Sequence, residues 1–148
     1  MFRHILIPTD GSRLAARGAR AGVKLAKALA AKVTGVFVIP PWVPPMYGEG
    51  AIYVPSMSPK GYKELTEKEA KKALAVVKIE AEAARVSCAT QFVTADHPWQ
   101  GILRVARSKK CDAVAMASHG RGGLGGLLLG SETTKVLAHS KIPVLVMR

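Results

Sequence analysis

Residues 111–131 read CDAVAMASHGRGGLGGLLLGS, and this stretch indicates the fold class. An apolar run, Cys111–Ala117, is followed by a segment that holds six of the chain's 14 glycines. A helix-like run within 127–139 comes next. A short apolar run bounded by turn residues is typical of a buried strand. The stretch therefore predicts a strand, a loop and a helix, in that order.

The same alternation recurs along the rest of the chain. Short apolar runs predict strands, and apolar residues at spacings of three and four predict helices. The predicted strands are 2–8, 33–39, 86–94, 111–117 and 142–147. The predicted helices are one that Ser12 caps and that runs to about Ala31, then 63–85, 99–108 and one within 127–139.

This order predicts an α/β fold with a single domain over residues 1–148. Strands that read as continuous apolar runs and alternate with helices indicate a parallel sheet covered on both faces. We expect a doubly wound three-layer sandwich with four main helices and a five-stranded parallel sheet of order 3-2-1-4-5. Ligands of such sheets bind where the strand order reverses, here between the first and fourth strands. The loops that follow these strands begin at Thr9 and Ser118.

Composition narrows the class of protein. Twenty-two Lys and Arg against ten Asp and Glu give a formal net charge of +12. The basic residues are spread over the predicted helices without interleaved aromatic residues, so we expect no specific nucleic-acid binding. No apolar run approaches 18 residues and the N-terminal stretch does not resemble a signal peptide, so we expect a cytoplasmic protein without a membrane span. The two cysteines form no CxxC motif, which is typical of reduced thiols.

Residues 40–62 interrupt the regular pattern. This segment contains six of the nine prolines, so it cannot be regular throughout. It also contains Trp42, Tyr47 and Tyr53, and such residues are scarce in disordered linkers. We expect a long loop that packs on the domain, either as a lid or as a partner surface.

Three kinds of phosphate-binding loop are candidates for the glycine-rich segment. Residues 125–132, GGLLLGSE, have the glycine spacing of a P-loop but lack its lysine and hydroxyl pair. Residues 120–125 match GxGxxG, but they follow the fourth strand and lack an acidic residue about 20 positions on. The third is a local anion site, in which loop amides, Arg121 and the helix start at Ser131 face a phosphate. A loop that only reverses the chain is the alternative.

The chain resembles the universal stress protein family over essentially its full length. The resemblance rests on ILIPTDGS at 5–12, MASHG at 116–120, LGS at 129–131 and IPVLV at 142–146. The ATP-binding branch of that family has a G-x2-G-x9-G-[ST] loop. Gly120, the nine residues after it, Gly130 and Ser131 match its second half. Ala117 stands in place of the first glycine, and Glu132 stands where ATP binders often have valine.

The resemblance implies a homodimer, paired through strand 142–147, that binds ATP, with or without Mg²⁺, as a sensor or regulator and not as an enzyme. Asp10 and the Val38 backbone would face adenine and ribose, other residues would line the pocket, and the loop would surround phosphates. The implied site residues are Pro8, Thr9, Asp10, Val38, Met116, Ala117, His119, Gly120, Arg121, Gly122, Gly123, Gly130, Ser131 and Glu132. A family member that binds no nucleotide and acts through protein contacts, and a slow ATPase, remain alternatives.

Several of these residues also have structural interpretations. Asp10 suits a turn, Val38 and Met116 suit a core, and Ser131 suits a helix N-cap. We expect the methyl group of Ala117 to narrow the pocket slightly. We expect the carboxylate of Glu132 to stabilise the helix start, where the helix dipole is positive, and to repel a nearby phosphate.

His119 raises the question of catalysis. In the predicted fold it is near Asp10 and near Ser118 or Ser131, a combination that resembles a nucleophilic triad, but the sequence has no GxSxG nucleophile elbow. We expect a structural histidine that donates to the backbone.

Overall fold

Five strands and four helices alternate along residues 1–44, 57–119 and 129–148, the parts of the chain that the computed structural model describes. In chain order they are β1 His4–Pro8, α1 Arg13–Ala28, β2 Lys32–Ile39, α2 Pro59–Ala83, β3 Cys88–Thr94, α3 Pro98–Ser108, β4 Ala113–Ala117, α4 Ser131–His139 and β5 Val144–Met147. None of these helices is long and apolar enough to cross a membrane.

The sheet has the predicted topology. Its strands are parallel and lie in the order β3-β2-β1-β4-β5. The central strand β1 pairs with β2 through Ile5 and Val33, and with β4 through Leu6 and Val114. The chain winds outward from β1 to β3 and then returns across β1 to β4. The strand order therefore reverses between β1 and β4, as the sequence predicts.

Alternating side chains of the strands form two apolar layers, one on each face of the sheet. Ile5 and Ile7 pack with residues of α1 and α2, whereas Leu6 packs with residues of α3 and α4. All three side chains are fully buried. Burial of a side chain of this size contributes roughly 1.5–3 kcal/mol, so the central strand anchors both layers.

Local capping sets the helix boundaries and moves some of them from their predicted positions. Helix α2 begins at Pro59 instead of residue 63, because Ser58 caps it by accepting a hydrogen bond from Gly61 N at 3.0 Å. Helices α1 and α2 end a few residues early. Ala30 and Arg85 adopt positive φ angles of 52° and 57°, which end the helical path.

The two described ends of segment 40–62 are tied to each other. Trp42 Nε1 donates to the Met57 carbonyl at 3.1 Å, and the Tyr62 hydroxyl donates to the Pro40 carbonyl at 2.7 Å. The middle of the segment, 45–56, lies outside the described residues. The prediction of a lid or partner surface for it stays a prediction.

Candidate functional site

A cavity of about 320 Å³ lies at the carboxyl ends of β1, β2 and β4, where the strand order reverses. The ends of the strands form its floor, and the first turns of α3 and α4 form one wall. Its described lining residues are Pro8, Thr9, Asp10, Ala15, Val36, Val38, Pro98, Ile102, Met116, Ala117, His119, Gly130, Ser131, Glu132 and Thr133. The position is the one that the reversal of strand order predicts for a ligand.

Most of the residues implied as a site from the sequence meet at this cavity. Ten of them line it: Pro8, Thr9, Asp10, Val38, Met116, Ala117, His119, Gly130, Ser131 and Glu132. The other four, Gly120, Arg121, Gly122 and Gly123, lie outside the described residues. The structure thus brings these ten side chains or backbones together, and their part in binding stays a prediction.

Helix α4 presents its N-terminus to the cavity. Gly130 is its N-cap residue and, having no side chain, provides no cap, while Ser131 is the first helical residue. The interpretation of Ser131 as the N-cap is therefore wrong by one position. The Gly130 N–H donates to the Ser118 carbonyl at 2.8 Å, which joins the helix start to the end of β4.

The limited space at position 130 favours glycine. A Cβ atom there would lie 3.0 Å from both Cα and Cβ of His119. Real Cβ atoms rarely approach other atoms so closely, so the joint between loop and helix would have to shift. The φ angle of Gly130 is −61°, so the preference comes from space and not from backbone conformation.

The turn after β1 supplies the opposite side of the cavity. Thr9 N donates to the Val36 carbonyl at 2.9 Å, so the turn continues the pairing of β1 with β2. The Asp10 carboxylate accepts a hydrogen bond from Ser12 N at 2.9 Å. Ser12 Oγ in turn accepts from Ala15 N at 3.1 Å and caps α1, as predicted. Asp10 therefore has the predicted turn role at the edge of the cavity.

His119 is held by its neighbour in the chain. Its Nδ1 lies 3.1 Å from Ser118 Oγ, and Ser118 is buried. The sequence predicts a backbone partner for His119, and the described partner is this side chain. Within the described ranges, no group of three or more His, Cys, Asp and Glu side chains is arranged to hold a metal ion.

The methyl group of Ala117 lies on the side of the sheet that α1 covers. It alternates with Met116 and lies on the same face as Ala113 and Ala115, which pack with α1. A Cβ atom added to Gly18 of α1 would come within 3.3 Å of the Ala117 methyl carbon. Gly18 thus leaves space for the methyl group of Ala117, which also lines the cavity, and the predicted narrowing of the pocket stays a prediction.

Glu132 links α4 to α3. Its Oε2 accepts a hydrogen bond from Trp99 N at 2.9 Å, and its Oε1 lies 3.2 Å from Lys135 Nζ. Trp99 also stacks on His139, with ring centroids 4.5 Å apart. His97, the N-cap residue of α3, makes no side-chain capping bond, so Glu132 caps that helix from its neighbour.

Comparison with known proteins decides the family. The model of the universal stress protein family matches residues 1–148. The chain belongs to this family. It is 32% identical over 148 residues to a universal stress protein of Thermus aquaticus, and the match covers all of both chains. It is also 32% identical over 151 residues to a universal stress protein of Methanocaldococcus jannaschii, covering all of this chain and 83% of that one.

Solved structures of universal stress proteins share the fold. UspA from Lactobacillus plantarum superposes with a TM-score of 0.78 at 22% identity, covering 99% of this chain and 98% of that one. A universal stress protein in complex with cAMP superposes with a TM-score of 0.71 at 23% identity, covering 99% of this chain and 97% of that one. One from Archaeoglobus fulgidus in complex with dAMP gives 0.63 at 15% identity, covering 100% and 98%.

Sequence reasoning missed five lining residues of this universal stress protein: Ala15, Val36, Pro98, Ile102 and Thr133. Four of them read as ordinary core or turn residues, so no local signal distinguishes them. Thr133 carries a signal that was available. It is a hydroxyl residue in the first turn after the loop, and its Oγ1 donates to the Ala117 carbonyl at 3.2 Å. It thereby fixes the first turn of α4 against the end of β4.

Proposed function

We propose that this universal stress protein binds an adenine nucleotide in the cavity between β1 and β4, and that it acts as a cytoplasmic sensor or regulator. ATP, with or without Mg²⁺, is the nucleotide that the resemblance to the ATP-binding branch implies. One observation carries the proposal. A cavity at the reversal of strand order is lined by the N-terminus of a helix whose N-cap provides no side chain.

The chemistry of the lining suits the two halves of a nucleotide. Val38, Ile102 and Met116 supply apolar surface on which a base can lie. Gly130 and Ser131 begin α4, and amides at a helix start are donors that suit a phosphate. The cavity volume of about 320 Å³ lies at the lower end of the range of about 300–1,000 Å³ for small-molecule sites.

Structural neighbours support the same ligand class. Two universal stress proteins of this fold were solved with cAMP and with dAMP, and both ligands are adenine nucleotides with a single phosphate. Asp10 lies at the cavity edge, where a carboxylate can accept a hydrogen bond from a ribose hydroxyl or a base amine. These likenesses support binding of adenine nucleotides.

We also propose that the protein forms a homodimer through β5. In the described sheet this strand is at an edge and pairs with β4 on one side. Its four residues, Val144–Met147, are apolar and half-buried. A bare apolar edge strand favours association with another strand, which supports pairing of two copies.

Equilibrium binding tests the nucleotide proposal. Nucleotide-stripped protein is titrated with AMP, ADP and ATP in a calorimeter, and we expect saturable binding. Gly130→Ala should weaken the affinity by about tenfold, because a Cβ atom 3.0 Å from Cα and Cβ of His119 has to shift the start of α4, which lines the cavity. Gly61→Ala is the matched control, since it adds the same methyl group to α2, away from the cavity.

Two results would contradict this proposal. Absence of saturable binding by any of the three nucleotides up to about millimolar, the weak end of specific affinity, would favour the family member that acts through protein contacts alone. An equal loss of nucleotide affinity in Gly130→Ala and Gly61→Ala would show that the nucleotide does not bind at the start of α4. Steady phosphate release that depends on Asp10 or Ser131 would instead favour the ATPase.

A further inference from the structure

Glu132 lies at the junction of two helix N-termini. It is the second residue of α4, and its carboxylate accepts a hydrogen bond at 2.9 Å from the N–H of Trp99, the second residue of α3. Neither N-cap residue, His97 or Gly130, provides a side-chain cap. Each helix start carries roughly half a positive charge. The carboxylate therefore lies where two positive helix ends meet.

A ligand phosphate would favour this same position. Free amides and the helix dipole make a helix start a ready site for an anion. The cavity is lined by both first turns, through Pro98 of α3 and Gly130–Thr133 of α4. The protein's own carboxylate thus supplies negative charge at the place where a phosphate chain would gain most from these helices.

The described lining of the cavity has more negative than positive charge. Asp10 and Glu132 contribute two carboxylates, and neither lysine nor arginine occurs among the described lining residues. Lys135 pairs with Glu132 at 3.2 Å, but it lies one turn further along α4 and is not part of the lining. Each phosphate added to a ligand therefore brings further negative charge to a cavity whose described charged lining groups are both carboxylates.

Two contacts hold the carboxylate in place. The Glu132 side chain is 31% exposed, and its oxygens contact Trp99 N and Lys135 Nζ. Turning it away would leave Trp99 N without its described acceptor. Repulsion between this carboxylate and a phosphate chain is therefore built into the site.

We propose that Glu132 makes this cavity select adenine nucleotides of low negative charge, with a single phosphate, over ADP and ATP. This inference rests on the proposed function, because it concerns the same cavity. It changes the ligand that the family resemblance alone implies. Glu132 acts as a specificity-determining residue through its charge, and it keeps its second role as the cap of α3.

The affinities of the full chain for a series of ligands with increasing numbers of phosphates test the inference. Adenosine, AMP, ADP and ATP are titrated into nucleotide-stripped protein at constant ionic strength with a chelator, so that no divalent ion masks the phosphate charge. Glu132→Gln keeps an oxygen acceptor for Trp99 N and removes the charge. Glu64→Gln is the matched control, since it makes the same change in net charge on an exposed carboxylate of α2. Lys135→Gln leaves the Glu132 carboxylate without its cation.

The wild-type protein should bind AMP at least as tightly as ATP. Glu132→Gln should raise the ratio of ATP to AMP affinity by about tenfold, the size expected for one charge at a partly exposed site. Lys135→Gln should lower that ratio, and Glu64→Gln should leave it unchanged. If Glu132→Gln unfolds at the assay temperature, the affinities of the wild-type protein for the four ligands and the affinity ratio of Lys135→Gln still test the inference.

Two outcomes overturn the inference, and they are distinguishable. If wild-type protein binds ATP far more tightly than AMP and Glu132→Gln and Lys135→Gln leave the ratio unchanged, Glu132 is a helix cap only and the proposed function stands. If no ligand in the series saturates wild-type protein or Glu132→Gln, the proposed function itself fails.

Discussion

At the scale of single residues, we expect the buried side chain of His4 to make the stability of the fold depend on pH. It lies in β1 at the end of the sheet opposite the cavity, and its Nε2 is 2.8 Å from Thr34 Oγ1. Burial lowers the pKa of His4 below its ordinary value of 6.5, and the neighbouring Lys32 lowers it further. A hydrogen bond to the Lys109 backbone and the negative charge of Asp112 oppose this shift. The folded protein therefore favours the neutral form of His4 more than the unfolded chain does.

This arrangement predicts that the protein loses stability as the pH falls from about 6.5 towards the lower folded pKa of His4. Across that window the unfolded chain binds a proton that the folded chain does not, so the free energy of unfolding decreases as the pH falls. Urea unfolding at several pH values between about 7.5 and 5 measures it, around the ordinary histidine pKa. His4→Gln keeps a hydrogen-bonding side chain and should flatten this part of the curve. An unchanged slope in His4→Gln would assign the effect to other groups.

Residue identities were predictable around the cavity, but their partners were not. The spacing of Gly130 and Ser131 and the position of Asp10 follow from the sequence, and the structure places all three at one cavity. The partner of Glu132 did not follow, because Trp99 is 33 residues away and only the packing of α3 on α4 brings them together. The sequence predicts that Glu132 suits the start of its own helix α4, and the structure shows that its carboxylate also caps α3.

At the scale of elements, three helices end in the same way. After α1, α2 and α3 the chain adopts a positive φ angle at Ala30, Arg85 and Lys110. In each case the next residue's N–H bonds a carbonyl five residues back, as in Ala31 N to the Ala26 carbonyl at 2.8 Å. This is the hydrogen-bond pattern of a Schellman motif, where glycine is usual because other residues are strained. These ends therefore carry avoidable strain.

Ala30→Gly should stabilise the fold by about 1 kcal/mol, because Ala30 is exposed and glycine adopts its positive φ angle without strain. Ala28→Gly is the matched control. It is an exposed residue inside the last turn of the same helix, where glycine costs about 1 kcal/mol. Chemical denaturation should show changes of opposite sign. Destabilisation by both variants would show that the end of α1 is not strained.

The sequence predicted every element, and the boundaries moved where a cap or a positive φ angle intervened. Helix α2 gains its first turn from Ser58 and Pro59, which read as loop because they follow a proline-rich segment. The early end of α1 has no sequence signal, since alanine continues a helix as readily as any residue. Helix ends at non-glycine residues therefore escape prediction from composition alone.

At the scale of the whole molecule, the two edges of the sheet differ. Strand β5 is short and apolar, whereas β3 exposes Ala89 and Thr90 and carries Gln91. The strand order was predictable because crossovers between parallel strands are almost always right-handed and the apolar runs alternate with helices. The strand order does not determine which edge forms the dimer interface. The apolar character of β5 favours β5 as that interface.

Light scattering measures the predicted dimer. Wild-type protein should have twice the mass of one chain, and Val146→Lys, which places a charge on β5, should shift it to the monomer at micromolar concentration. Thr90→Lys places the same charge on β3 and should leave the dimer intact. Circular dichroism confirms that both variants are folded. Dissociation by Thr90→Lys and not by Val146→Lys would place the interface at the other edge.

A crystal structure of the protein grown with AMP tests whether an adenine nucleotide binds between β1 and β4. We expect electron density for adenosine on the apolar surface of Val38 and Met116, with the phosphate facing Gly130 and the first turn of α4. An empty cavity at saturating AMP, or a nucleotide bound at another surface, would contradict it.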